Sequence, residues 1–186
     1  RPLMLAIQNR DLAAAQAALA RDAGQATESL PGGISPLMFA LYNGAPDIAR
    51  LLRDARPLDV FEAAAIGDAR RVAALVLADP QLMAHYSPDG WTPLHLAAFF
   101  GSRDVLLVLI GLGAQLDAPS TNPMSNTAMH AAIAGAAGES LAPLLIALGA
   151  DVQHVGGSGV SALHLAATRG FEGLCKLLLN RGVDRN

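Results

Sequence analysis

Three histidines, His95, His130 and His164, stand 35 and 34 residues apart, each three residues after Thr92, Thr127 or Ser161. Histidine is the commonest metal ligand and the side chain that titrates nearest neutral pH, so an evenly spaced row of three raises metal binding first. The spacing argues against it. If each copy of a repeated helical unit carries one, neighbouring layers lie about 8–10 Å apart. A zinc–nitrogen bond is near ~2 Å, so no ion could be shared. His85 and His154 stand in connecting segments, away from any cysteine or acidic pair at ligand spacing, and are expected as surface loop residues. Cys175 is the only cysteine, which precludes an internal disulfide. Between Leu174 and Lys176 in an apolar helix it is expected to be a buried, inert thiol. The sequence offers it no histidine and carboxylate for nucleophilic catalysis. Gly156-Gly157-Ser158-Gly159 resembles a phosphate loop only superficially, since no strand precedes it and no Gly-Lys-Ser/Thr follows. These residues call for no cofactor and no metal.

The elements that position them recur. Thr92-Pro-Leu-His-Leu-Ala-Ala-Phe-Phe-Gly101 is nearly repeated by Ser161-Ala-Leu-His-Leu-Ala-Ala-Thr-Arg-Gly170. Looser copies are Thr127-Ala-Met-His-Ala-Ala-Ile and Ser35-Pro-Leu-Met-Phe-Ala-Leu-Tyr-Asn-Gly44. Aligned on the opening residue, units begin at Arg1, Ser35, Leu58, Thr92, Thr127 and Ser161, at intervals of 34, 23, 34, 35 and 34 residues. Each reads as a first helix, a tight turn and a second helix. In the fourth, Pro93–Phe100 is stopped by Gly101, which tolerates the left-handed backbone. A second helix follows over Asp104–Gly111, with Asp104 near its positive end. In the third unit Val60-Phe61-Glu62-Ala63-Ala64 takes the place of Leu-His-Leu-Ala-Ala. After the second unit's helix only Ala55-Arg56-Pro57 intervenes, too little for a hairpin. Ala134-Gly-Ala-Ala-Gly-Glu-Ser140 adds one residue to the fifth unit's turn, and its two glycines suggest a mobile, tolerant surface segment.

These strings resemble the ankyrin repeat family, whose unit of about 33 residues is a turn and two helices. The resemblance implies an all-α repeat solenoid of about six units, near 1–34, 35–57, 58–91, 92–126, 127–160 and 161–186, joined by β-hairpin or turn connectors. It implies that the motif histidines bridge turn backbone and neighbouring repeats. It also implies a non-catalytic module that binds another protein with its turns and the exposed ends of its first helices. Carried over by position, the contact residues are Ile34, Tyr42, Asp89, Trp91, Phe99, Phe100, Asn126, Val160 and Thr168. Three of the chain's eight aromatics, Tyr42, Trp91 and Phe99, fall directly on these positions. The alternative is an accessory or regulatory domain of a larger enzyme or secreted effector. Self-association through the ends of the stack is a further option.

Composition narrows the classes. The chain is 52% hydrophobic but 4% aromatic, so the core must be Ala and Leu. A net charge of −3 with interspersed signs gives no basic stripe for nucleic acid. The longest apolar stretches, such as Val105–Leu112, are too short to span a bilayer. Of 13 basic residues only Lys176 is lysine, a bias expected of a GC-rich, bacterial genome. The lone cysteine suits a reducing compartment, and a cytoplasmic location is expected. Arg1 falls inside a helix-opening turn, so a preceding segment, and with it a periplasmic or secreted destination, remains compatible with the sequence.

Overall fold

The computed structural model describes residues 1–157 and 159–183. Ser158, in the Gly156–Gly159 run, lies outside the described residues. Among the described residues there are twelve α-helices of seven to ten residues and no strand. The single β-bridge among them pairs Val155 with Ser161. Helices this short are marginal alone, so each must be held by burial against its neighbours. None of the described helices is long and apolar enough to cross a membrane. The chain forms two compact units, residues 1–62 and 63–186.

In the first unit, α1 (Pro2–Gln8), α2 (Leu12–Arg21), α3 (Pro36–Tyr42) and α4 (Pro46–Arg53) make two antiparallel pairs. Leu3, Ile7, Leu37, Ile48 and Leu52 are buried between them. Asp11 caps α2 by accepting from the Ala14 amide at 2.9 Å, and Ser35 caps α3 from the Met38 amide at 3.2 Å. Arg10 adopts φ 54°, where the corresponding turn of α3 uses Gly44 at φ 63°. Its side chain compensates for the strained backbone by donating from Nε to the Asn43 carbonyl at 2.9 Å.

The short connector after α4 has no hairpin and is stitched together by charge. Glu62 is fully buried. Both its oxygens accept from the Arg56 guanidinium, the Nη1–Oε2 bond being 2.9 Å. Ser35 Oγ donates to Oε1 at 2.6 Å and the Asp59 amide to Oε2 at 3.2 Å. Asp59 in turn accepts from the Glu62 amide at 2.8 Å. This reciprocal pair is a capping box, and it places the helix start at Asp59. The alignment that opens this unit at Leu58 is thereby corrected by one residue. Glu62 stands at the third helical position, which His95 holds in the fourth repeat, and not at an apolar core position. The helix it opens, α5 (Val60–Ile66), has one residue fewer than α7 (Pro93–Phe100).

In the second unit, α6 (Ala69–Ala78), α7, α8 (Arg103–Gly111), α9 (Ala128–Ala134), α10 (Gly138–Ala147), α11 (Ala162–Thr168) and α12 (Glu172–Asn180) continue the pairing. First helices stack on first helices, α7 on α9 and α9 on α11, and second helices follow as α6 on α8 and α10 on α12. Leu94, Leu96, Leu106, Leu109, Met129, Ile133, Leu141 and Leu145 fill the core. Between them Ala97, Ala98, Ala131 and Ala132 are wholly buried and let the helices approach closely.

The glycine-rich turn 135–137 is not the loose segment its composition suggests. Gly135 and Gly138 are both buried. A Cβ on Gly135 would lie 2.0 Å from the Phe99 carbonyl oxygen. The next amide, Ala136, donates to that same oxygen at 3.1 Å. A Cβ on Gly138 would lie 2.8 Å from the Ala132 oxygen and from Ile133 Cα. Both glycines are therefore demanded by backbone-to-backbone packing.

Candidate functional site

Seven of the nine expected contact residues lie in the second unit, on turns and first helices between Asp89 and Thr168. Each of these first helices opens on a hydroxyl residue, and Thr92 and Ser161, though not Thr127, cap the backbone with it. Thr92 accepts from the His95 amide at 3.4 Å, and His95 Nδ1 accepts from the Thr92 amide at 3.3 Å and contacts Thr92 Oγ1 at 2.7 Å. Ser161 and His164 repeat this capping box. His95 is 1% exposed, and with Nδ1 as acceptor its Nε2 carries the proton. That Nε2 lies 2.7 Å from the Asn126 carbonyl of the next repeat. One imidazole thus closes its own turn and ties two layers together. Burial holds its pKa below the usual histidine value, with the Asn126 carbonyl opposing the shift.

His130 breaks the pattern. Its Nδ1 lies 2.9 Å from Thr127 Oγ1, but among the described residues its Nε2 has no hydrogen-bond partner. His154 fills the neighbouring space, ring against ring at 5.4 Å and 77°, with its own Nε2 2.8 Å from the Ser125 carbonyl. The expectation of a plain surface loop histidine at 154 is corrected accordingly. Burial first, then the nearby His154, pushes His130 down to about 4, while the His154 carbonyl works in the opposite direction. The folded state therefore holds neutral His130, and the unfolded chain binds the extra proton. The stabilisation is complete above about pH 6.5 and is lost as pH falls toward about 4.

The connectors form a ladder of closed turns. Ser87 N–H donates to the Trp91 carbonyl at 2.8 Å, Ser120 N–H to Asn126 at 2.8 Å, and Gly156 N–H to Val160 at 3.0 Å. Bonds also run between successive turns. Thr121 N–H donates to the Gly90 carbonyl at 3.0 Å and Gly157 N–H to Met124 at 2.7 Å. Asn122 Nδ2 donates to the Asp89 carbonyl at 3.0 Å, and Tyr86 Oη to Pro119 at 3.1 Å. The connectors close as tight turns, two of them preceded by a 3-10 turn at Ala23–Ala26 and Pro80–Ala84. A backbone so fully bonded presents its tips without a large ordering cost.

On this frame the aromatics gather. Trp91 meets His95 edge-on at 5.4 Å and Phe99 at 5.9 Å, and Phe99 meets Phe100 edge-on at 5.1 Å. All three aromatics are partly exposed. Tyr86 is 39% exposed and Met124 46% exposed, both on the same ladder of turns. The remaining expected positions divide. Asp89 and Asn126 take part in turn bonding through their backbone carbonyls, and Asp89 Oδ1 accepts from Ser87 Oγ at 2.5 Å. Thr168 is exposed, but its hydroxyl donates to the His164 carbonyl at 2.8 Å. Val160 is half-buried behind the last turn. Ile34 and Tyr42 lie in the first unit, half-buried and 39% exposed respectively.

Cys175 is half-buried rather than fully buried. It lines a shallow hollow of about 270 Å³ with Ala167, Gly170, Glu172, Lys176 and Leu179. Sequence reasoning missed the roles of Asn122 and Gly135. The Asn-Pro pair at 122–123 is a turn signal with a side chain suited to bonding local backbone, and could have identified the first of them.

Comparison with known proteins gives the same architecture. A three-copy ankyrin-repeat family model matches residues 60–155, and a single ankyrin repeat matches 158–186. The chain is 31% identical over 157 residues to the human neurogenic locus notch homolog protein 2, covering 84% of this chain and 6% of that protein. It is 33% identical over 96 residues to the mouse B-cell lymphoma 3 protein homolog, covering 52% and 21%. With mouse ankyrin repeat and SOCS box protein 16 it shares 37% over 100 residues, covering 50% and 22%. The chain thus spans about a fifth or less of the first curated relatives it matches. The matches point to a protein–protein interaction module.

Proposed function

Since the chain belongs to the ankyrin repeat family, we propose that it is a non-catalytic module that binds a partner protein through the Trp91–Phe99–Phe100 face. The observation that carries this reading is the partly exposed aromatic cluster, held on turns whose backbone bonds are already made. Large aromatic side chains are favoured anchors at interfaces because they bury much area at little rotamer cost. A preordered backbone adds little ordering cost when a partner docks. Met124, Tyr86, Asp89 and Thr168, on turns and first helices of the same unit, would add contacts around that centre.

Affinity capture from cell lysate tests the reading, comparing the wild type with a Trp91→Ala/Phe99→Ala variant of equal helix content. The expected result is a protein retained by the wild type and recovered at least about tenfold less by the variant, the loss of two central anchors being worth about 2 kcal/mol or more. Equal recovery on both would move binding off this face.

A further inference from the structure

We propose that the His130–His154 contact is an acid-sensitive latch, which holds the His154–Gly157 segment of the last connector on the fifth repeat and releases it before the rest of the array unfolds. The two equivalent joints differ in what the motif histidine grips. At the first, His95 Nε2 is bonded to the Asn126 carbonyl, and the Thr92 amide fixes which ring nitrogen carries the proton. At the second, His130 Nε2 meets no acceptor among the described residues, and the ring packed against it is another imidazole.

A proton added to His130 would place a cation in a fully buried site where Nδ1 faces Thr127 Oγ1 but Nε2 has no hydrogen-bonded partner among the described residues. The titratable groups facing it are His95 from α7 and His154 and Asp151 from the connector after α10. Burial opposes the charge most strongly and both histidines add to that, while the His154 carbonyl and Asp151 favour it. The cheapest escape is to lift the segment that covers the ring. That segment is held across the joint by the Gly157 N–H bond to Met124 and by the contact of His154 Nε2 with the Ser125 carbonyl. His154 Nε2 is satisfied by that carbonyl, whereas His130 Nε2 is bonded to nothing among the described residues, so His130 is the group that must be relieved.

Amide exchange resolved by NMR on the whole chain, corrected for the intrinsic effect of pH, tests this directly. Two equivalent bonds are compared, Gly157 N–H to Met124 across the latch and Thr121 N–H to Gly90 at the earlier joint. Between neutral pH and about pH 4.5, Gly157 protection should fall at least about tenfold while Thr121 protection holds. In His130→Gln the fall should vanish. The imidazole carbon shifts of wild-type His130 give a reading that needs no variant, and should leave the neutral form only as Gly157 loses protection. Three results would overturn the latch. These are Gly157 and Thr121 losing protection in step, an equal fall in His130→Gln, or protonation of His130 with Gly157 still protected.

Discussion

Replacing Glu62 by alanine is expected to destabilise the first unit by about 3–5 kcal/mol, and Arg56→Ala by a similar amount. Either change breaks one buried ion pair, but the cost comes from what is left behind. Without Arg56, the Glu62 carboxylate, 1% exposed in the intact chain, keeps the neutral donors Ser35 Oγ and the Asp59 amide and has no bonded cation among the described residues. Without Glu62, Ser35 Oγ and the Asp59 amide lose their acceptor, and α5 loses half of its capping box. A joint Arg56→Met/Glu62→Leu change, which removes both charges while keeping volume, should cost less than either single alanine variant. Urea denaturation followed by far-UV circular dichroism gives the comparison. Single variants within about 1 kcal/mol of wild type would show that the pair is dispensable.

The second large effect is expected at Gly135. A methyl group there would meet the Phe99 oxygen at 2.0 Å, its carbonyl carbon at 2.7 Å and its Cα at 2.8 Å, all backbone atoms with no rotamer to change. The backbones must part, and the Ala136 N–H bond to Phe99 is lost with them. Gly135→Ala should cost about 3 kcal/mol, the upper end for overpacking. It should also weaken partner binding, because Phe99 moves with its own carbonyl. Gly111 is the counterpart of opposite sign. It ends α8, and a methyl group there would meet nothing within 4 Å, so Gly111→Ala should stabilise by up to about 1 kcal/mol. Thermal denaturation of the two variants side by side decides the matter, and a Gly135→Ala protein as stable as wild type would contradict the close packing.

Much of this is legible in the residues, for a physical reason. A Thr-Pro-Leu-His string contains its own geometry. The hydroxyl is a cap, proline suits the first helical position, leucine faces the core, and histidine closes the box. That is why α7 begins and ends at the residues read from the sequence. The third unit is harder because its cap is built from different chemistry. Asp59 and Glu62 do what Thr92 and His95 do, but a glutamate among alanines looks like a degraded core position until its partner Arg56 is seen. The turn after α9 misleads in the opposite direction. Glycine signals freedom when nothing lies nearby, and only the fold reveals the Phe99 backbone against Gly135. His154 is invisible for the same reason, since its neighbour His130 stands 24 residues away in sequence. The contact face is the least legible, because position in a repeat shows which side chains face outward and leaves open which of them grip a partner.

Trp91 offers the most direct test of that face, being the only tryptophan in the chain. Its fluorescence reports one position with no added label. With a captured partner in hand, acrylamide quenching of Trp91 would be measured on the chain alone and on the complex, using a partner whose own tryptophans are replaced. Docking on the aromatic cluster predicts a quenching constant several-fold lower in the complex, as the ring leaves solvent. An unchanged constant at saturating partner would contradict the account, and would place the interface away from the Trp91–Phe99–Phe100 face.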